Sequence, residues 1–236
     1  MRQALGEFIL SLNGIRALAN NINQNTGQAL ANSSVRQLHE TQQCGAIVLL
    51  TGYFEAFLKE LVRRYLRDLC LSGVAFSALP ARMQHKHFEG GGKILTKASE
   101  AGRTGITTSF GSATREDVVA RLYSTSANAN FNIVWEAFAD TGANPRAAVV
   151  KTIGNDLGLE DFWRSISTNS GDPARWSDTA VISKLDDLIS RRNSCAHTGI
   201  VNPIPTAFDI LDFSDLLQVI GESFVSTLEI KLITYP

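Results

Sequence analysis

The stretch IVLLTGYFEAFLKELVRRY, residues 47–65, decides the fold of this 236-residue chain. Ile47, Leu50, Phe54, Phe57, Leu58, Leu61 and Tyr65 recur every three or four positions, which on an α-helix is one continuous apolar stripe. Lys59, Glu60, Arg63, Arg64 and Arg67 fall on the far side, and Glu55 precedes Lys59 by four residues in the favourable order. Ser33 and Ser34 offer an N-cap and Gly73 a stop, so the spacing predicts a helix over about Val35–Leu71. Upstream, Leu5, Phe8, Ile9, Leu12, Ile15, Leu18 and Ala19 predict an amphipathic helix over Arg2–Ile22. The polar run Asn20–Gly27 reads as the loop between them.

Downstream the pattern weakens. Pro80 can open a short helix. Gly90, Gly91 and Gly92 are expected to break regular structure, and Gly102–Gly111, rich in Gly, Thr and Ser, completes what reads as a flexible insertion over Val74–Ser112. Thr114 and Asp117 form a capping-box-like pair at a new helix start. Phe131–Phe138 reads as a short aromatic helix or strand. Pro145 leads a helix carrying Val149, Val150, Ile153 and Leu157, and Ser165–Trp176 reads as a loop. Asp178 caps a helix reaching about His197, stopped by Gly199, Pro203 and Pro205. Ile210, Phe213, Leu217, Ile220, Phe224 and Leu228 mark a last helix over Ala207–Leu232. Four long amphipathic helices with an irregular middle predict an all-α bundle, one domain over residues 1–236, with an insertion at about 73–175.

Composition narrows the function classes. Hydrophobic residues make up 44% of the chain and charged residues 19%, enough for a packed core. The 22 basic and 23 acidic residues leave a net charge of −1, so anion binding must be local. Cys44, Cys70 and Cys195 contain no CxxC pair, which points away from a disulfide framework or structural zinc and towards a reducing, cytoplasmic setting. The N-terminal residues lack the signature of a signal peptide. The longest apolar run, Ala46–Leu50, is far short of the roughly 20 residues that span a bilayer. No membrane association is expected.

One helix carries a residue out of place. Placed at 100° per residue, Val181, Ile182, Leu185, Leu188, Ile189, Cys195 and Ala196 share one apolar arc, and Arg192 falls near its middle. A guanidinium aimed at a core is costly unless it is paired or lines a wet cleft. Asn193 and His197 share the adjacent face. In a regular helix Arg192 and His197 point about 140° apart. Either the helix loosens before Gly199, or two copies of the chain meet so that both groups converge. Spacing alone equally allows a buried structural arginine, paired for instance with Glu55, and a His197 that serves the helix C-terminus.

Arg192-Asn193-Ser194-Cys195-Ala196-His197 resembles the R-x4–6-H signature of the HEPN superfamily, and Tyr53-Phe54-Glu55-Ala56-Phe57-Leu58-Lys59-Glu60 resembles its F-E-x-F-L-x-x-L segment. Both stand in the expected order, with Gly199 following. The resemblance covers roughly residues 1–72 and 176–235. Thr198 is a departure, since relatives usually have glycine directly after the histidine. The resemblance implies an antiparallel four-helix bundle. It also implies a metal-independent endoribonuclease without cofactors, acting as a toxin of a toxin–antitoxin or anti-phage defence system, with its site at a homodimer interface. Arg192, His197 and Asn193 would be catalytic and Glu55 supporting. RNA, tRNA included, would be the substrate, and an antitoxin or defence-system protein a further partner. The alternatives are a non-catalytic HEPN module that binds nucleotides or a partner protein, and a structural helical adaptor.

Weaker features complete the reading. Arg63, Arg64 and Arg67, with Arg191, could track an RNA backbone or simply form solvated helix faces. His85 and His87 form an H-x-H pair without a third ligand of clear spacing, so no metal site is assigned. Gly90-Gly91-Gly92-Lys93 lacks the pattern of a phosphate loop. Cys195 reads as packing.

Overall fold

The computed structural model describes residues 1–104, 113–127, 130–142, 144–198 and 203–235. The expected Gly- and Thr-rich stretch beyond Thr104, and Gly199 as helix stop, lie outside them. Among the described residues the architecture is all-α: α1 (Arg2–Ala31), α2 (Ser33–Leu71), α3 (Ala81–Thr104), α4 (Arg115–Ser124), α5 (Ala147–Asp156), α6 (Phe162–Thr168), α7 (Asp178–Thr198) and α8 (Ala207–Ile233).

Helices α1, α2, α7 and α8 form the antiparallel bundle, and their order is fixed by contacts at the ends. Arg2 at the start of α1 binds Glu229 near the end of α8 at 2.6 Å. Ile22 towards the end of α1 offers its carbonyl to His39 near the start of α2, at 2.9 Å. The end of α7 meets the start of α8 through Arg191 and Asp209, 3.6 Å apart. The apolar stripe quoted above is fully interior, with Ile47, Leu50, Phe54, Leu58, Leu61 and Tyr65 at 0% exposure. Phe57 stacks on Phe8 of α1, ring centroids 4.5 Å apart.

Several local expectations are corrected. The Asn20–Gly27 segment is helical: α1 runs on to Ala31 because Ile22 and Ala29 are buried. Packing overrides a polar composition that merely tolerates helix. The link to α2 is then a single extended residue, Asn32, whose side-chain oxygen caps Ser34 and Val35; the N-cap is this asparagine rather than Ser33 or Ser34. Arg36 reaches back to the Ala29 and Leu30 carbonyls, satisfying orphan acceptors at the end of α1.

The third correction concerns the triple glycine. It does not break the chain: α3 passes straight through it. A Cβ at Gly90 would stand 2.6 Å from the Ala137 Cβ, and one at Gly91 would stand 2.8 Å from Leu122. The glycines therefore let α3 approach the short 3₁₀ turn Trp135–Ala137 and α4 closely. Glycine costs a helix about 1 kcal/mol relative to alanine, and the close packing of this seam offsets it. Within Phe131–Phe138 that 3₁₀ turn is the only regular helical piece. The fourth correction is α6, which occupies the first part of the Ser165–Trp176 stretch, and Asp178 sits inside the first turn of α7 rather than capping it. The Thr114–Asp117 capping box forms as expected, and a second one, Thr206–Asp209, opens α8.

Candidate functional site

The RNSCAH segment occupies the last two turns of α7, at the bundle end shared with the α1–α2 junction and the start of α8. The helix stays regular through Thr198, so Arg192 and His197 diverge as their five-residue separation requires. No hydrogen bond joins them among the described residues. His197 and Ala196 are exposed, Arg192 and Asn193 half-buried, and Cys195 buried.

Arg192 lies on the inward arc, as the sequence implied. Its Nη1 donates to Asn193 Oδ1 at 3.1 Å, while Nε is buried without an acceptor. It forms no ion pair among the described residues. An unsatisfied buried donor costs about 1–3 kcal/mol, more when the group is charged. The guanidinium is thus held with hydrogen-bonding capacity unspent.

Glu55 stands nearby on α2 and is already committed. It accepts from Lys59 Nζ at 2.7 Å and from Thr141 Oγ1 at 2.8 Å. Burial works to raise its pKa, but the Lys59 and Thr141 hydrogen bonds, with the Lys59 and Arg192 charges, outweigh it and hold the carboxyl below its usual range. Glu55 therefore acts on Arg192 through space and does not neutralise it by contact. Thr141 was not foreseen: it is 86 positions from Glu55, and nothing local marks it.

The remaining sequence candidates are placed differently. Arg191 pairs with Asp187 at 3.0 Å, lies 3.6 Å from Asp209, and sits over the Phe213 ring at 5.6 Å. It ties α7 to α8. Arg64 pairs with Glu60 and also donates to Gln3. Arg63 lies 3.5 Å from Glu60 and over Trp135, and Arg67 lies 3.4 Å from Asp68; both stay more than half exposed. Each basic residue of the α2 face has an acidic neighbour, so this face is a screened one. His85 and His87 do not act together: His85 is exposed beside Glu89, while His87 is fully buried and its Nδ1 accepts from the Val134 backbone N–H. Burial pushes the His87 pKa down to about 4. Lys93, after the glycines, pairs with Glu89.

A cavity of about 670 Å³ lies elsewhere. Lys151, Arg164, Asp178, Ile182 and Lys231 line it, at the opposite end of α7. Ile182 and His197 are about 22 Å apart along the helix. No helix among the described residues is long and apolar enough to cross a membrane.

The all-α bundle agrees with a HEPN-type helical protein. The family model of RiboL-PSP-HEPN matches residues 11–230, and the chain belongs to that family. Neither a curated protein nor a solved structure gives a match. The matched range runs from α1 to α8 and so spans α3–α6 as well.

Proposed function

We propose that this protein is an endoribonuclease that cleaves RNA without a metal ion, through Arg192, His197 and Asn193 in a composite site between two copies of the chain. In RNA the 2′-OH beside each phosphate is an internal nucleophile, so positioning is largely built into the substrate. His197, exposed at the end of α7, carries an imidazole that can accept or donate a proton. The Arg192 guanidinium matches phosphate oxygens and would stabilise the charge that develops on them. Asn193 holds Arg192 by its side-chain oxygen and so sets the fork's direction. Attack by the 2′-OH leaves a 2′,3′-cyclic phosphate and a 5′-OH end. The biological setting that goes with this chemistry is a cytoplasmic toxin–antitoxin or anti-phage defence system, with tRNA among the candidate targets and an antitoxin or sensor as partner.

The observation that carries the reading is the unspent Arg192: a half-buried guanidinium with one buried N–H lacking an acceptor, next to an exposed imidazole on the same helix end. The test is incubation with total RNA and tRNA in chelator, followed by end-group analysis. Arg192→Ala and His197→Ala are expected to abolish cleavage; retention of wild-type rate in both sinks the assignment. A non-catalytic binding module is the second reading. It is favoured by the divergence of Arg192 and His197 within one protomer. RNA binding without cleavage by the wild-type chain, weakened by Arg192→Ala, would select it.

A further inference from the structure

Two cysteines from distant parts of the sequence meet beneath the motif. Cys44, partly exposed on α2, and Cys195, buried on α7, lie close enough across the α2–α7 contact for the Cys44 thiol to act on the Cys195 thiol. Both pack against the main apolar core. Cys195 lies between Arg192 and His197. Helices packed about 8–10 Å apart bring facing Cα atoms to roughly 3.5–5.5 Å, which overlaps the roughly 4.4–6.8 Å that a disulfide spans. The third cysteine, Cys70, lies on the same helix as Cys44 but about 39 Å further along it.

We propose that Cys44 and Cys195 form a reversible intramolecular disulfide, made by exchange with a low-molecular-weight disulfide, that clamps the motif-bearing end of α7 onto α2. The half-exposed Cys44 thiolate attacks one sulfur of the external disulfide, forming a mixed disulfide and releasing one thiol. Cys195, as its thiolate, then attacks the Cys44 sulfur, forming the intramolecular bond and expelling the second thiol. Two protein thiols are oxidised, one external disulfide is reduced, and the two protons leave on the two released thiols. Burial, then the Cys44 thiol itself, pushes the Cys195 thiol up to about 12, so the second step is the slow one.

The clamp bears on the proposed ribonuclease site, and this regulatory consequence rests on that reading. Arg192 and His197 diverge while α7 stays helical, and bringing them to one phosphodiester requires the helix end to adjust or to meet a second copy. A covalent tie at Cys195 holds the turn between them in its helical form. Oxidation is therefore expected to slow cleavage, and reduction to restore it.

The test treats the reduced, full-length protein with oxidised glutathione, then quenches in acid and alkylates under denaturing conditions. Intact mass is expected to show a loss of about 2 Da before alkylation and one alkylated cysteine instead of the three the chain contains. Peptide mapping is expected to link Cys44 to Cys195, and Cys70→Ser is expected to change neither the link nor its rate. A stable glutathione adduct on Cys44, a bridge that includes Cys70, or three free thiols after oxidation would each overturn the disulfide. In the same samples RNA cleavage is expected to fall about tenfold on oxidation, to recover with dithiothreitol, and to be indifferent to oxidant in Cys44→Ser. A bridge that forms with no change in rate overturns its regulatory role. Should the reduced wild type cleave no RNA, the ribonuclease reading fails, while the mass and mapping data still decide the bridge.

Discussion

Two half-buried arginines show opposite economies. In the α3–α4 seam, Arg121 donates to both carboxylate oxygens of Glu136 at 2.9 Å, and Glu136 is 2% exposed. Every charge there is answered, and Gly90 and Gly91 let the backbones close around it. At the end of α7, Arg192 has its Nε unanswered, and Glu55, the carboxylate on which its charge acts, is held by Lys59 and Thr141. The first arrangement is what stability selects. The second forgoes stability and, on the function proposed above, leaves a cation for the phosphate of an RNA substrate.

The sharpest way to break that comparison is to remove each arginine. Arg192→Met is expected to lower RNA cleavage by about a hundredfold or more, the scale of losing an electrostatic stabiliser. It should leave the urea midpoint unchanged or slightly raised, because an unsatisfied donor disappears. Arg121→Ala, by contrast, strands a buried Glu136 carboxylate and is expected to cost about 3 kcal/mol of unfolding free energy, with cleavage per folded molecule unchanged. If Arg192→Met proves the more destabilising of the two, Arg192 is a structural arginine.

The glycines refine the seam side. Gly90→Ala places its Cβ against the Ala137 side chain and backbone, which cannot swing away, and overpacking of this kind costs about 1–3 kcal/mol. Gly92→Ala meets nothing within 4 Å and is expected to stabilise by up to about 1 kcal/mol through helix propensity. Equal thermal shifts for the two would mean that α3 does not lie close to the 3₁₀ turn.

The smallest effects concern titration at the motif end. Glu55 has a folded-state pKa below its ordinary 4.5. A depressed carboxylate contributes stability above its unfolded pKa, and that contribution is lost as pH falls through the folded value. Glu55→Gln is therefore expected to flatten the acid limb of the stability profile below about pH 4.5; an unchanged limb would remove Glu55 from the account. At pH 8, iodoacetamide is expected to label Cys44 well before Cys195, whose labelling should accelerate with each unit of pH up to about 12. Equal rates for the two would show that Cys195 is neither buried nor shielded by its neighbour.

How much of this was legible in advance depends on the range of the physics involved. The stripe of α2, the inward Arg192 and the Thr114–Asp117 box follow from spacings of three and four residues, and each is present as read. The helical extension to Ala31 and the passage of α3 through three glycines were not legible. Both run against local propensity, and both are decided by partners distant in sequence. Thr141 on Glu55 and Cys44 beside Cys195 are of the same kind: contacts across 86 and about 150 positions have no local trace.

Periodicity and residue type by themselves determined that this chain is helical, that four long helices share a core, and that α7 carries a guanidinium on the face meant for apolar side chains. Those properties arise within one or two helical turns, where chain geometry is nearly invariant. Only the tertiary structure decided that Glu55 is occupied elsewhere, that Arg191 is a brace between helices, and that Arg192, beside it, makes no ion pair among the described residues. Which partner a charge finds depends on desolvation and distance across the packed interior, and those are settled when the helices assemble.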